Sequence, residues 1–135
     1  MSTFLSFSPD DLPETAKAFL EAFPKGGLFL LNGEMGAGKT TFVRAVCSLL
    51  ETEAAVSPTF SLINHYESNT GVKVWHMDMY RIQNMEEALD FGIEEYLDRD
   101  GYVFIEWPEH IRPLLHGEGH EISITLSNPG RILSF

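Results

Sequence analysis

The sequence has few basic residues, and they are scattered along the chain. Lys and Arg number 9 against 20 Asp and Glu, which gives a formal net charge of −11 at pH 7. A surface that binds nucleic acid neutralises phosphates with clustered basic side chains, and no three basic residues lie together in this sequence. We therefore expect no autonomous binding of RNA or DNA. A surplus of carboxylates suits docking on a basic protein partner, and the alternative is that it serves solubility alone.

Cysteine and long apolar runs are also scarce. Cys47 is the single cysteine, so no intrachain disulfide can form, and its helical position predicts a small core residue. No apolar run approaches the roughly 18 residues of a membrane span, and the first seven residues lack the basic start and apolar stretch of a secretion leader. We expect a cytoplasmic protein without membrane contact, folded as one domain over residues 1–135.

The most informative motif occupies residues 33–40, which read G-E-M-G-A-G-K-T and match the phosphate-binding pattern G-x-x-x-x-G-K-[ST] in full. An apolar run at 28–31 precedes it and helical spacing at 41–50 follows, as this motif requires. Glycines let backbone N–H groups approach a phosphate, and Lys39 adds a cation. The pattern predicts a nucleotide site formed by Gly33, Glu34, Met35, Gly36, Ala37, Gly38, Lys39, Thr40 and Thr41.

The rest of the chain indicates an α/β fold. Strand patterns alternate with short helical patterns in the middle, and strand pairs joined by turns lie at 60–80 and 121–135. The segment 51–56 is polar and is interpreted as a connection. These patterns predict a P-loop NTPase-like mixed sheet, with a parallel core, flanking antiparallel hairpins and helices on both faces.

Hydrolysis or phosphoryl transfer also needs an acid near the loop. Glu106 ends the apolar strand 103–105, where ligands bind in open α/β sheets, and Asp78 interrupts the strand pattern of 74–80. Each is a candidate for organising Mg²⁺ or water, and the alternative for each is a solvent-facing acid. Thr59 follows Ser-Pro in an extended segment that can sense a γ-phosphate or serve as simple turn chemistry. Trp107 borders the nucleotide or fills the core edge.

Several absences narrow the choice of ligand and the expected rate of hydrolysis. No N-K-x-D stretch, the usual guanine-reading motif, occurs, which favours ATP over GTP. The histidines show no zinc-ligand spacing. No lid and no clear internal arginine finger can be found, so intrinsic turnover should be slow and the site completed by a partner.

Five ordered segments together resemble a known family. They are 33–42, 57–60, 76–81, 92–96 and 105–108, and they look like the motifs of TsaE (formerly YjeE), the bacterial tRNA threonylcarbamoyladenosine biosynthesis ATPase family. The departures are mild, with Glu34-Met35 where Asp-Leu is frequent and with methionine at 77 and 79 in place of other apolar residues.

The resemblance implies a site and partners. It implies ATP and Mg²⁺ as ligands, Thr40, Glu106 and Asp78 as the metal site, and Lys39 with the two acids as the catalytic residues. It also implies assembly with the TsaD and TsaB proteins, which modify the adenosine beside the tRNA anticodon.

The hypothesis is therefore an ATP-binding and ATP-hydrolysing subunit that supports this modification. A small-molecule kinase is one alternative, although it usually needs arginines on a mobile lid. A nucleotide-gated assembly module with negligible hydrolysis is the other.

Overall fold

The computed structural model describes residues 4–34, 36–55, 63–90, 92–97, 100–126 and 130–135. Within these residues, eight strands form one sheet and five α-helices connect or flank them. The strands are β1 (Phe4–Phe7), β2 (Gly27–Asn32), β3 (Thr52–Ala55), β4 (Ile63–Ser68), β5 (Lys73–Asp78), β6 (Tyr102–Glu106), β7 (His120–Leu126) and β8 (Arg131–Ser134). The helices are α1 (Leu12–Ala22), α2 (Lys39–Leu49), α3 (Met85–Asp90), α4 (Glu94–Leu97) and α5 (Arg112–Leu115), and short 3₁₀ turns at Pro9–Asp11 and Pro108–Ile111 precede α1 and α5.

The sheet has a parallel centre and antiparallel edges. Its strand order is β1-β8-β7-β2-β6-β5-β4-β3, in which β7, β2, β6 and β5 run parallel. β8 and β4 run antiparallel to their neighbours on either side. Glu106 is in register with Leu31 on β2 and with Asp78 on β5. The carboxyl ends of these three strands therefore meet at one edge, where parallel α/β sheets bind ligands.

Apolar side chains alternate between the two faces of the central strands, because successive strand residues point to opposite sides. On one face, α1 and α2 cover a phenylalanine-rich cluster that includes Phe19, Phe29, Phe42 and Phe104. On the other face, residues of α3, α4 and α5 pack with Leu30, Val103 and Ile105. The predicted fold class, with helices on both faces, is confirmed. Cys47 is a buried member of the first cluster, as expected.

Two elements were not predicted. Residues 52–55, interpreted as a connection, form β3, an edge strand whose Glu53 lies opposite Glu67. Polar residues suit an exposed edge strand, and so its sequence resembles a loop. The other element is β1, whose four residues pair with the distant β8. Within the described part of the chain, none of the helices is both long and apolar enough to cross a membrane.

Candidate functional site

The loop between β2 and α2 is shaped by crowding at its start and by backbone conformation at its end. A Cβ on Gly33 would lie 2.7 Å from the carbonyl oxygen of Ile124 on β7, so only glycine fits there. Gly38 has φ +105°, a left-handed conformation that side chains disfavour, and a Cβ there would meet nothing within 4 Å. The backbone around Gly38 thus faces open space at the N-terminus of α2, the arrangement that receives a phosphate.

Lys39, the first residue of α2, is 5 % exposed and folds back over the loop. Its ammonium donates to the carbonyl oxygen of Gly33 and lies 3.5 Å from the centroid of the Trp107 ring. Burial lowers the pKa of Lys39, and the nearby charges of Glu106, Glu109 and Asp78 oppose that shift. The Gly33 contact and the aromatic face partly replace the water that this cation has lost.

Glu106 at the end of β6 is 3 % exposed and is the most enclosed acid of the site. Its Oε2 accepts a hydrogen bond of 2.7 Å from the Thr40 hydroxyl and another from Nε2 of His76. Burial by itself would raise the pKa of Glu106, but these two hydrogen bonds and the charges of His76 and Lys39 give a net lowering. Glu106 is therefore a carboxylate held beside the first turn of α2.

Asp78 lies next to Glu106 in the sheet register and is exposed. Its Oδ1 accepts a hydrogen bond of 3.0 Å from the Tyr80 N–H, which fixes the turn that leaves β5. We call His76, Asp78 and Glu106 the acid side of the site, and residues 33–40, apart from Met35, the loop side.

Trp107 connects the two sides. Its φ is +56°, uncommon for a bulky residue, and the chain turns there into Pro108–Ile111. The half-buried ring lies over the Lys39 ammonium and 5.0 Å from the Tyr80 ring. Because backbone strain of this kind costs on the order of 1–3 kcal/mol, the surrounding contacts must stabilise it. Trp107 thus borders the site and also packs against the edge of the second core cluster.

Loop side and acid side enclose one cavity of about 300 Å³. The described residues that line it are Gly36, Gly38, Lys39, Thr40, Thr41, Asp78, Tyr80, Glu106 and Trp107.

Most of the residues predicted for the nucleotide site thus come together. Gly33, Glu34 and Ala37 belong to the same loop but are not among the lining residues described. Met35 and Thr59 lie outside the described residues, so their predicted roles stay predictions.

Two side chains of the site were missed by the sequence reasoning, His76 and Tyr80. His76 was discounted because it lacks metal-ligand spacing, yet it precedes Asp78 by two residues on one strand. Strand periodicity places such a pair on the same face, so this signal was present in the sequence. Tyr80 is 54 % exposed at the edge of the cavity, and it follows Asp78 with the same spacing.

The start of the loop is held by a ring of polar side chains on the other face of the sheet. The Asn32 amide donates a hydrogen bond of 2.6 Å to Oε2 of Glu121 and accepts one of 3.1 Å from Arg112. Arg112 also forms an ion pair with Glu121. Burial would raise the pKa of Glu121, but hydrogen bonds from Arg112 and Asn32 lower it overall. This ring fixes Asn32, the residue that precedes Gly33.

The sheet order and the loop at the end of β2 define a P-loop NTPase-like domain. The sequence model described as "Threonylcarbamoyl adenosine biosynthesis protein TsaE" matches residues 7–132, and the chain belongs to this family. Its role therefore lies in the biosynthesis of threonylcarbamoyladenosine in tRNA.

Individual relatives agree with this assignment. The tRNA threonylcarbamoyladenosine biosynthesis protein TsaE of Bacillus subtilis is 39 % identical over 118 residues, which cover 83 % of this chain and 72 % of that protein. The protein of the same name from Rickettsia conorii is 33 % identical over 130 residues, 94 % of this chain and 73 % of its own. The crystal structure of Bacillus subtilis YdiB superposes with a TM-score of 0.71 at 30 % identity, covering 100 % of this chain and 86 % of that one.

Proposed function

We propose that this protein binds ATP with Mg²⁺ in the cavity between loop side and acid side and hydrolyses it slowly, in support of the TsaB and TsaD proteins. One observation carries the proposal. Lys39, Thr40 and Glu106 line the same cavity, at the point where the loop enters α2. A phosphate-binding loop, a hydroxyl and a carboxylate are thereby combined in the pattern that phosphoryl transfer requires.

The loop side has the features that phosphate binding needs. The cavity reaches Gly36 and Gly38, the helix N-terminus favours negative charge, and the buried Lys39 ammonium lies at the same rim. In this structure the ammonium is occupied by the Gly33 carbonyl and the Trp107 ring. A terminal phosphate is a stronger partner, because its negative charge attracts the ammonium, whereas the carbonyl and the ring carry no net charge.

The acid side fits a magnesium ion bound mainly by nucleotide and water. Within the described residues no three Asp, Glu, His or Cys side chains cluster as a protein-only metal site. Mg²⁺ usually takes one or two protein ligands beside substrate phosphates and water, and Thr40 with Glu106 would supply them, Asp78 lying adjacent in the sheet. When bound, Mg²⁺ neutralises charge on the phosphate oxygens.

Glu106 is proposed to orient the attacking water. It is ionised, nearly enclosed and hydrogen-bonded on one oxygen, so its direction is fixed before ATP arrives. The cavity lining that the structure describes contains Lys39 as its cation and no arginine. Because an added positive charge at the γ-phosphate accelerates hydrolysis strongly, we propose that a protein partner increases the rate.

The partners proposed are TsaB and TsaD, which the family resemblance implies. The net charge of −11 does not favour a direct hold on tRNA. A nucleotide-gated assembly module remains the second candidate, because Lys39 and Glu106 have partners within the protein that a bound nucleotide could displace without being hydrolysed. The two candidates differ in whether phosphate is released.

A phosphate-release assay tests the proposal. The protein is measured alone, with tRNA, and with TsaB and TsaD, and each arm is repeated with Lys39→Ala. We expect slow release alone, no effect of tRNA by itself and faster release with the two proteins. Nucleotide-dependent complex formation without phosphate release would support the assembly module. Stimulation by tRNA alone would contradict the charge argument.

A further inference from the structure

Arg131 lies on β8 and contacts the phosphate-binding loop from the side of the sheet away from β5 and β6, which carry the acid side. It is the first residue of β8, opposite Leu126 of β7 and Phe7 of β1. Its Nε donates 3.0 Å to the carbonyl oxygen of Ala37, and its Nη1 donates 3.0 Å to the carbonyl of Gly130. The guanidinium is therefore fixed at two points on opposite sides.

Ala37 is 1 % exposed and lies one peptide bond before Gly38. In a trans peptide the carbonyl of one residue and the N–H of the next share a plane and point in opposite directions. A donor that holds the Ala37 carbonyl thus also sets the direction of the Gly38 N–H. Gly38 lines the cavity and Arg131 is not among its described lining residues, so the contact acts from behind the loop.

The same hairpin supports the start of the loop. Gly33 approaches the Ile124 carbonyl of β7 so closely that no side chain fits between them, and its α-carbon also faces the Ala37 methyl group. β7 therefore contacts the start of the loop through Ile124, and β8 contacts its later part through Arg131.

We propose that Arg131 is a positioning residue that directs the Gly38 N–H toward the bound phosphates through the Ala37 carbonyl. The proposal rests on the nucleotide binding proposed above. Backbone N–H donors that are fixed before the ligand arrives avoid the cost of ordering them during binding. Loss of the Arg131 contact leaves the Ala37–Gly38 peptide free to rotate, because Gly38 tolerates a wide range of backbone angles.

Three substitutions separate this role from a simple effect of charge. In Arg131→Gln the amide nitrogen stands the same number of bonds from the α-carbon as Nε of arginine, so the donor is kept without the charge. Arg131→Met has the same length and no donor. Arg131→Lys keeps the charge and moves the donor one bond farther out. Arg44→Gln, on the exposed surface of α2, removes an equal charge elsewhere.

ADP binding with Mg²⁺, measured by calorimetry, is the first readout. We expect Arg131→Met to bind about 3- to 10-fold more weakly, the effect of one net hydrogen bond. The ADP affinities of Arg131→Gln and Arg44→Gln should remain close to that of the wild type. The affinity of Arg131→Lys should lie between those of Arg131→Gln and Arg131→Met. If Lys retains affinity while Gln loses it, Arg131 acts by charge and the proposal is wrong.

The amide signal of Gly38 in an ¹H–¹⁵N spectrum of the free protein is the second readout. It should shift in Arg131→Met and keep its position in Arg131→Gln, whereas general destabilisation would not single out this amide. If Arg131→Met does not fold, the ranking of the ADP affinities of Arg131→Gln and Arg131→Lys still tests the proposal. Wild-type protein that binds no nucleotide would remove the proposed function, whereas normal ADP affinity in a folded Arg131→Met would remove only the positioning role.

Discussion

The two sides of the site are built by different means. On the loop side the functional groups are mostly backbone groups, and their directions come from glycine conformation, crowding at Gly33 and the contact from Arg131. On the acid side the functional groups are side chains, and their directions come from sheet register and from the hydrogen bonds that converge on Glu106. The loop side also has two side chains from α2, Lys39 and Thr40, and the Thr40 hydroxyl connects the two sides through its hydrogen bond to Glu106.

This difference predicts which substitutions separate binding from turnover. Under the proposed function, a change on the loop side would alter how phosphates are held in every state of the reaction, so ATP affinity should fall first. A change on the acid side would alter the proposed water and metal, which matter most in the transition state. If substitutions on both sides change ATP affinity and the rate of hydrolysis in the same proportion, this distinction between the two sides is wrong.

Glu106→Gln should have the largest effect. The amide keeps the size and one acceptor for Thr40 but loses the charge, so hydrolysis should fall by about 100-fold or more, the range for a general base, while ATP affinity should fall by less, through the weaker ligand for Mg²⁺. Phosphate release at saturating ATP and a calorimetric titration measure the two quantities. Glu118→Gln, an exposed acid outside the cavity, is the matched control. Equal losses in affinity and rate would leave Glu106 as a structural strand end.

Lys39→Ala should show the opposite balance. Loss of the charge-assisted contacts should weaken ATP binding by about 10- to 100-fold, or roughly 1.5–3 kcal/mol, with little change in thermal stability. Stability should change little because Lys39 is buried with a lowered pKa, so its removal also eliminates the free-energy cost of burying a cation. Lys17→Ala, exposed on α1, controls for the charge. Unchanged ATP affinity in Lys39→Ala would exclude the loop from nucleotide binding.

Gly33 and Gly38, two of the three glycines of the loop side, should respond differently to the same substitutions. Gly33→Ala places a methyl group 2.7 Å from the Ile124 carbonyl and should destabilise the fold by about 1–3 kcal/mol, the cost of overpacking. Gly38→Ala has open space but an unfavourable φ, with a cost of roughly 1–2 kcal/mol.

Asparagine separates crowding from conformation at these positions, because it adopts the left-handed region more readily than alanine and is larger. Gly38→Asn should recover part of the stability lost in Gly38→Ala, and Gly33→Asn should be worse than Gly33→Ala. Urea unfolding measures all four variants. The same ranking of Ala and Asn at both positions would contradict the distinction.

The sequence predicts the loop side better than the acid side, because the two sides are built by different means. The loop is local, and its glycines, Lys39 and Thr40 occupy eight consecutive positions, so a short pattern suffices. The acid side joins residues about 30 positions apart that meet only through the pairing of β5 with β6. Glu106 was predicted because it ends an apolar strand, and Asp78 because an acid within a strand pattern is unusual. His76 was missed because its partner, Glu106, is set by the register of β5 and β6.

The edge strands of the sheet were also hard to predict from local sequence patterns. β1 and β3 are four residues each, too short for a clear periodic pattern, and β1 pairs with the other end of the chain. Arg131 could not be connected with the loop either, because no local pattern reveals that β8 reaches Ala37. The central strands β2 and β6 were predictable because burial on both faces requires continuous apolar runs.

The smallest effect is expected in the polar ring of Asn32, Arg112 and Glu121, which holds the residue before the loop side. The Arg112 and Glu121 side chains are 42 % and 50 % exposed, so their pair should contribute only about 0.2–1 kcal/mol to stability. Glu121→Gln keeps an acceptor for Asn32 and removes the charge. Its effect should therefore be a small loss of stability at neutral pH that decreases with added salt.

The pH dependence of this loss distinguishes the ion pair from the hydrogen bond. The pKa of Glu121 is lowered from its ordinary value of 4.5, so between the lowered pKa and 4.5 the unfolded chain binds more protons than the folded protein. The stability from this charge is thus complete above pH 4.5 and is lost as the pH falls through the folded-state pKa. Urea unfolding of wild type, Glu121→Gln and the exposed control Glu118→Gln at neutral and acid pH measures it. A loss that is the same at both pH values would assign the ring's contribution to hydrogen bonding alone, and the loop side would then depend on charge only where it meets phosphate.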